Sequence, residues 1–107
     1  MGVTKIESRE QLKSQLLDAG NNLVVIYFYA EWNFLSISWL PKIENISSEF
    51  ADSVTFLKIN VDECAEVAED YEVTSMPNFV FIKASQIVEK YLGNNEKRVK
   101  KLVQKYK

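Results

Sequence analysis

Apolar and polar residues change period in blocks along this chain, and the blocks predict elements of alternating type. Ser8-Arg9-Glu10-Gln11 has the form of a capping box, with Ser at the cap and Gln three residues on. Leu12, Leu16 and Leu17 then repeat at helical spacing, and Gly20 stands where a helix would end. The run from Leu23 to Tyr29 is apolar and aromatic throughout, which is the pattern of a central strand covered on both faces. Ile37, Leu40, Ile43, Ile46 and Phe50 recur every three or four positions. Residues 36–50 therefore read as one amphipathic helix, kinked by Pro41.

Val54 to Val61 predicts a second buried strand, and Asp62 is placed to cap a short helix carrying Ala65, Val67, Ala68 and Tyr71. Pro77 to Lys83 predicts a third strand, and Ala84-Ser85 turns the chain into Ile87–Leu92 as a hairpin. Gly93-Asn94-Asn95 breaks the pattern. Val99, Leu102, Val103 and Tyr106 mark a closing amphipathic helix. A βαβ-type half followed by a hairpin and a helix implies an α/β three-layer sandwich, a mixed sheet covered by helices on both faces.

At 107 residues the chain is expected to form one domain, 1–107, and its 47% hydrophobic content suffices for one core. The net charge of -2 is mild. The basic residues from Lys97 to Lys107 fall at helical spacing without interleaved stacking aromatics, so they read as a solvated helix face and not as a nucleic-acid surface. No apolar run resembles a signal peptide or a membrane span, so no membrane partner is expected. The chain has one cysteine and no histidine. An internal disulfide is thus impossible, and a reducing compartment, cytosol or nucleus, is expected. No metal site, cofactor or His-activated nucleophile is implied.

The segments Leu23 to Trp32, Leu40-Pro41-Lys42, Phe56 to Cys64 and Val73 to Phe79 carry a resemblance to the thioredoxin family over essentially the whole length. The resemblance implies a central mixed five-stranded sheet flanked by four helices, and a disulfide-exchanging active site. Trp32 matches the Trp that precedes the family's first catalytic Cys, Pro41 the kinking Pro of the active-site helix, and Pro77, after Met76, the family's cis-Pro. Gly93 matches the Gly on the loop that closes the far side of the substrate groove. The catalytic positions depart from the family. Asn33 stands for the attacking Cys, Ser36 for the resolving Cys, and Tyr27 for a buried Asp beneath the site. Phe34 and Leu35 replace Gly and Pro, and Ile37 replaces a usual Lys.

Disulfide exchange needs an attacking thiolate and a second thiol that releases the mixed disulfide. Asn33 offers no nucleophile and reads as a cap or turn residue. Ser36 has no His to activate it and reads as a helix cap. Tyr27 reads as packing that asks for one hydrogen-bond partner. Cys64 is either an inert half-buried residue or a regulatory thiol at a helix start. The groove implied by the resemblance comprises Trp32, Phe34, Leu35, Met76, Pro77, Gly93 and Asn94.

Two roles remain for Phe34 and Leu35: exposed anchors for a partner, or plugs for the space left by the lost motif. The favoured reading is a redox-inactive, non-enzymatic thioredoxin-like protein that docks a protein or peptide segment, as a monomer or weak dimer. Its alternatives are a thioredoxin-type disulfide oxidoreductase in redox homeostasis, or a thioredoxin with an engineered loop. The change at Tyr27, remote from the loop, favours repurposing over loop exchange.

Overall fold

The computed structural model describes residues 2–107. Its elements run β1 (Val3–Lys5), α1 (Arg9–Ala19), β2 (Leu23–Tyr29), α2 (Phe34–Ser38), α3 (Leu40–Glu49), β3 (Val54–Asn60), α4 (Ala65–Asp70), β4 (Asn78–Lys83), β5 (Gln86–Leu92) and α5 (Glu96–Tyr106). The five strands form one mixed sheet in the order β1-β3-β2-β4-β5. β1 and β2 flank β3 in parallel, while β4 runs antiparallel to both β2 and β5. This is the α/β sandwich expected from the sequence, with the helix expected over residues 36–50 divided in two.

β2 occupies the middle of the sheet, and all seven of its residues are buried. Successive side chains of a strand point to opposite faces, so its two sets enter two cores. Leu23, Val25, Tyr27 and Tyr29 pack with Trp39, Ile43 and Ile46 and with Val99, Leu102 and Val103 of α5. Val24, Ile26 and Phe28 pack on the other face with Leu12 of α1, with Cys64 at the start of α4 and with Val67 within it. The unbroken apolar run is therefore required by position: both faces of the central strand are covered.

Local predictions hold at several ends and fail at others. The Ser8 hydroxyl accepts the Gln11 N–H at 3.1 Å, and the Gln11 side chain returns to accept the Glu7 N–H at 2.8 Å. Gly20 ends α1 at φ 57, a left-handed value that favours glycine. Residues 93–95 break the chain before α5 as expected, and Asn95, for which no cap was expected, also caps that helix by accepting the Arg98 N–H. Leu17, in contrast, is exposed, since α1 presents Leu12 and Ala19 to the sheet instead.

β1 was not legible as a pattern, being only three residues long. Residues 36–50 are not one kinked helix. Helix begins at Phe34, stops at Trp39, and resumes at Leu40 with Pro41 in the first turn of α3. A proline lacks the N–H that an interior position needs, and the first turn is where that loss is harmless.

Candidate functional site

The site forms where β2 ends and α2 begins. The chain turns between Ala30 and Asn33, whose N–H donates to the Ala30 carbonyl at 3.0 Å. Asn33 then caps α2, its side-chain oxygen accepting the Ser36 N–H at 2.9 Å. The cap expected at Ser36 thus belongs to Asn33, because the helix starts two residues earlier than the periodicity of large apolar residues suggested.

Ser36 has a different task. It is fully buried, and its Oγ accepts the Ala30 N–H at 3.1 Å. Its proton goes to the Asn33 carbonyl at 2.8 Å or the Ala30 carbonyl at 3.1 Å. A buried hydroxyl that closes the turn on both sides is a structural clasp. Among the described residues no base lies in hydrogen-bond contact with it, so nothing here activates it as a nucleophile.

Tyr27 lies beneath. Its ring packs against Trp39 and Phe79, with centroids 6.1 and 5.0 Å away. Its hydroxyl donates to the Ser36 carbonyl at 2.6 Å, within the last turn of α2 where carbonyls lack helical partners. Burial pushes the ionisation of this phenol well above its ordinary range. Tyr27 therefore fills volume and supplies one donor, as its sequence position implied.

The loop residues divide by exposure. Phe34 is 84% exposed, Trp32 67% and Leu35 43%. They do not plug a gap. Ile37 packs partly against the core, and Trp39 is wholly inside it. Trp32 is held in place, its indole N–H donating to Asp62 at 2.8 Å. This corrects the expectation for Asp62, which caps no helix: α4 begins after Cys64 with no side-chain cap. Residues 60–63 are instead turned by the Asn60 side chain, which accepts the N–H groups of Asp62 and Glu63.

A cleft of about 640 Å³ opens beside Trp32, lined by Val61, Ala65, Ala68, Glu69, Glu72, Val73, Thr74 and Met76. Of the predicted groove residues, Trp32 and Met76 line it. The Met76–Pro77 bond is cis, and the Pro77 carbonyl accepts the Gly93 N–H at 3.1 Å. Gly93 is needed for space: a Cβ there would meet the Tyr91 hydroxyl at 2.6 Å. That hydroxyl accepts the Asn95 N–H, while the Asn94 carbonyl accepts the buried Trp39 indole N–H at 3.3 Å. Gly93 and Asn94 are thus tied to Pro77 and to the buried Trp39, and they do not line the cleft.

The α4 wall was missed by sequence reasoning. Its only local signal is the pair of small residues Ala65 and Ala68, three apart, which lets a shallow surface form. Cys64 is buried in the core under this wall, unpaired with any other cysteine. Among the described residues no cluster of potential metal ligands is present, and no helix is long and apolar enough to cross a membrane.

Comparison with known proteins places this geometry in a family. The thioredoxin family profile matches residues 3–105. The chain is 38% identical over 104 residues to Thioredoxin-T of Drosophila melanogaster, covering 97% of this chain and 66% of that one. It is 35% identical to thioredoxin of Mus musculus, covering 97% and 98%. The X-ray structure of Fasciola hepatica thioredoxin superposes with a TM-score of 0.93 at 31% identity, covering 97% and 99%. Reduced thioredoxin pre-protein of Schistosoma mansoni gives 0.92 at 27%, covering 98% of each chain. The chain belongs to the thioredoxin family, and with one cysteine it has no two-cysteine active site.

Proposed function

We propose that this member of the thioredoxin family is a redox-inactive binding protein, which receives an extended segment of a partner protein in the cleft beside Trp32 and Met76. One observation carries the reading: Trp32, Phe34 and Leu35 are exposed within four consecutive positions, the first of them lining the cleft, on a chain whose single thiol is buried. Exposed large aromatic residues beside a concave surface are the composition of an interaction hot spot. Trp32 is oriented in advance by Asp62, which lowers the ordering cost of an anchor residue. A cytoplasmic or nuclear setting, where a lone thiol stays reduced, belongs to the same reading.

Affinity capture with the native chain, Phe34→Ser and Met76→Asp tests it. Both variants should lose the same set of partners while retaining the native circular dichroism spectrum. Unchanged partner sets would overturn the proposal.

The competing reading is thiol–disulfide exchange, which family membership by itself suggests. It is opposed by stoichiometry: one sulfur can form a mixed disulfide but has no second thiol to resolve it. Turnover of a protein disulfide with thioredoxin reductase should be absent. Sustained turnover that disappears in Cys64→Ser would favour exchange instead.

A further inference from the structure

The cleft beside Trp32 combines an apolar floor with an acidic mouth. Its charged lining residues are Glu69 and Glu72, and no lysine or arginine lines it. Glu31, exposed, precedes Trp32, and Asp62 holds the indole N–H. Two cations on neighbouring elements, Arg9 and Lys5, are engaged elsewhere. Arg9 pairs with Asp70 at 2.8 Å and with Glu66 at 3.6 Å, and Lys5 pairs with Glu63 at 2.8 Å. Lys90 donates to the Tyr71 carbonyl at 3.1 Å and reaches Glu72 only at 3.8 Å, on an exposed carboxylate. Such a distant exposed pair neutralises little.

We infer that the occupant of this cleft is a partner segment bearing lysine or arginine beside an apolar residue. The inference rests on the binding function proposed above and names the chemistry of its ligand. The apolar side chain would seat on the floor beside Met76, while the cation would meet Glu69 and Glu72 at the mouth. The exposed face of Trp32 adds a second attraction for a cation, since an indole ring is the strongest aromatic partner for one. A second copy of this chain is a poor occupant. A two-fold dimer through this cleft would bring both acidic mouths into one interface.

Glu72 also provides a clean way to remove one charge. It follows α4 at φ 58, with its N–H on the Glu69 carbonyl and the Val73 N–H on the Ala68 carbonyl, both at 2.9 Å. This is the Schellman arrangement, whose left-handed position favours glycine. Glu72→Gly therefore deletes the carboxylate while relieving the backbone.

The test uses the full chain, with quenching of exposed Trp32 as the readout and three synthetic peptides as probes: alternating valine–lysine, valine–glutamine and valine–glutamate. At low salt the lysine peptide should bind about five- to tenfold more tightly than the glutamine peptide, and the glutamate peptide most weakly. The lysine advantage should shrink at about 0.5 M salt, where surface charges are screened. In the Glu69→Gln, Glu72→Gly double variant it should fall by more than half. Equal affinities for the three peptides, or an advantage that survives the double variant, would overturn the inference.

The Met76→Asp variant separates this failure from failure of the binding reading. Loss of glutamine-peptide binding there supports the cleft as the site, whatever the charge preference. Binding indifferent to Met76→Asp, or a dimer in sedimentation that shields Trp32, overturns both.

Discussion

The Tyr27 hydroxyl and the Ser36 carbonyl are joined by a 2.6 Å hydrogen bond inside the core. The resemblance to thioredoxins matches these residues to a buried acid and to the second catalytic cysteine. Two positions that would serve electron and proton transfer are here bonded to each other as structural parts. Tyr27 tethers α2 from below and Ser36 clasps the turn before it, so the loop holds its shape without a disulfide.

Removing that tether should be measurable. Tyr27→Phe leaves a buried carbonyl without its donor and should destabilise the fold by about 1–2 kcal/mol in urea denaturation. The alkaline limb should change with it. Burial raises the ionisation of Tyr27 in the folded state, whereas the unfolded chain ionises near the ordinary value of 10.0. Above that pH the unfolded state releases the proton first, so stability falls as pH rises. Tyr27→Phe should weaken this loss, leaving the smaller contributions of Tyr29 and Tyr71, which burial also raises.

Ser36→Ala deletes a hydroxyl that serves both Ala30 and Asn33. The Ala30 N–H is then buried without an acceptor, at a cost of about 1–3 kcal/mol. Hydrogen exchange should show the Ala30 amide losing protection, while amides of β3 and β4 exchange as before once corrected for global stability. An unchanged Ala30 amide would refute the clasp.

The β4–β5 hairpin turns through Ala84 and Ser85, at φ 52 and 63. Neither residue favours the left-handed region, and a two-residue hairpin with both centres there suits Asn-Gly. The double substitution Ala84→Asn, Ser85→Gly should stabilise the protein by about 1 kcal/mol, read as a rise in Tm.

The acid limb should report Asp70. The hydrogen-bonded Arg9 guanidinium, at 2.8 Å on both carboxylate oxygens, holds this carboxyl below its ordinary value of 3.8. A depressed folded value means that the contribution is present above the unfolded pKa and is lost as pH falls through the folded one. Asp70→Asn should therefore lower stability at neutral pH and flatten its decline below about pH 4. The effect should be small, since both groups face solvent.

With its one cysteine buried and no second in the chain, the protein should melt at the same temperature with and without dithiothreitol. A lower Tm on reduction would reveal an intermolecular bond through Cys64.

The pattern of residues was enough to determine the layers. Leu23 to Tyr29 reads as a doubly covered strand, because apolar or aromatic residues fall on both of its faces. The cap at Ser8 and the stop at Gly20 were likewise local, each depending on atoms within a few residues of itself. The count of cysteines alone removed two-thiol chemistry.

Tertiary structure decided everything that depends on residues distant in the chain. Asp62 looked like a helix cap until Trp32, thirty residues earlier, was seen to take its carboxylate. The helix periodicity from Ile37 to Phe50 could not reveal the break at Trp39, since both segments turn their apolar faces to the same sheet. Whether Phe34 and Leu35 were core or surface was equally hidden. Their apolar character suits either place, and only the packing of Trp39 and Ile37 beneath them filled the core and left that pair outside.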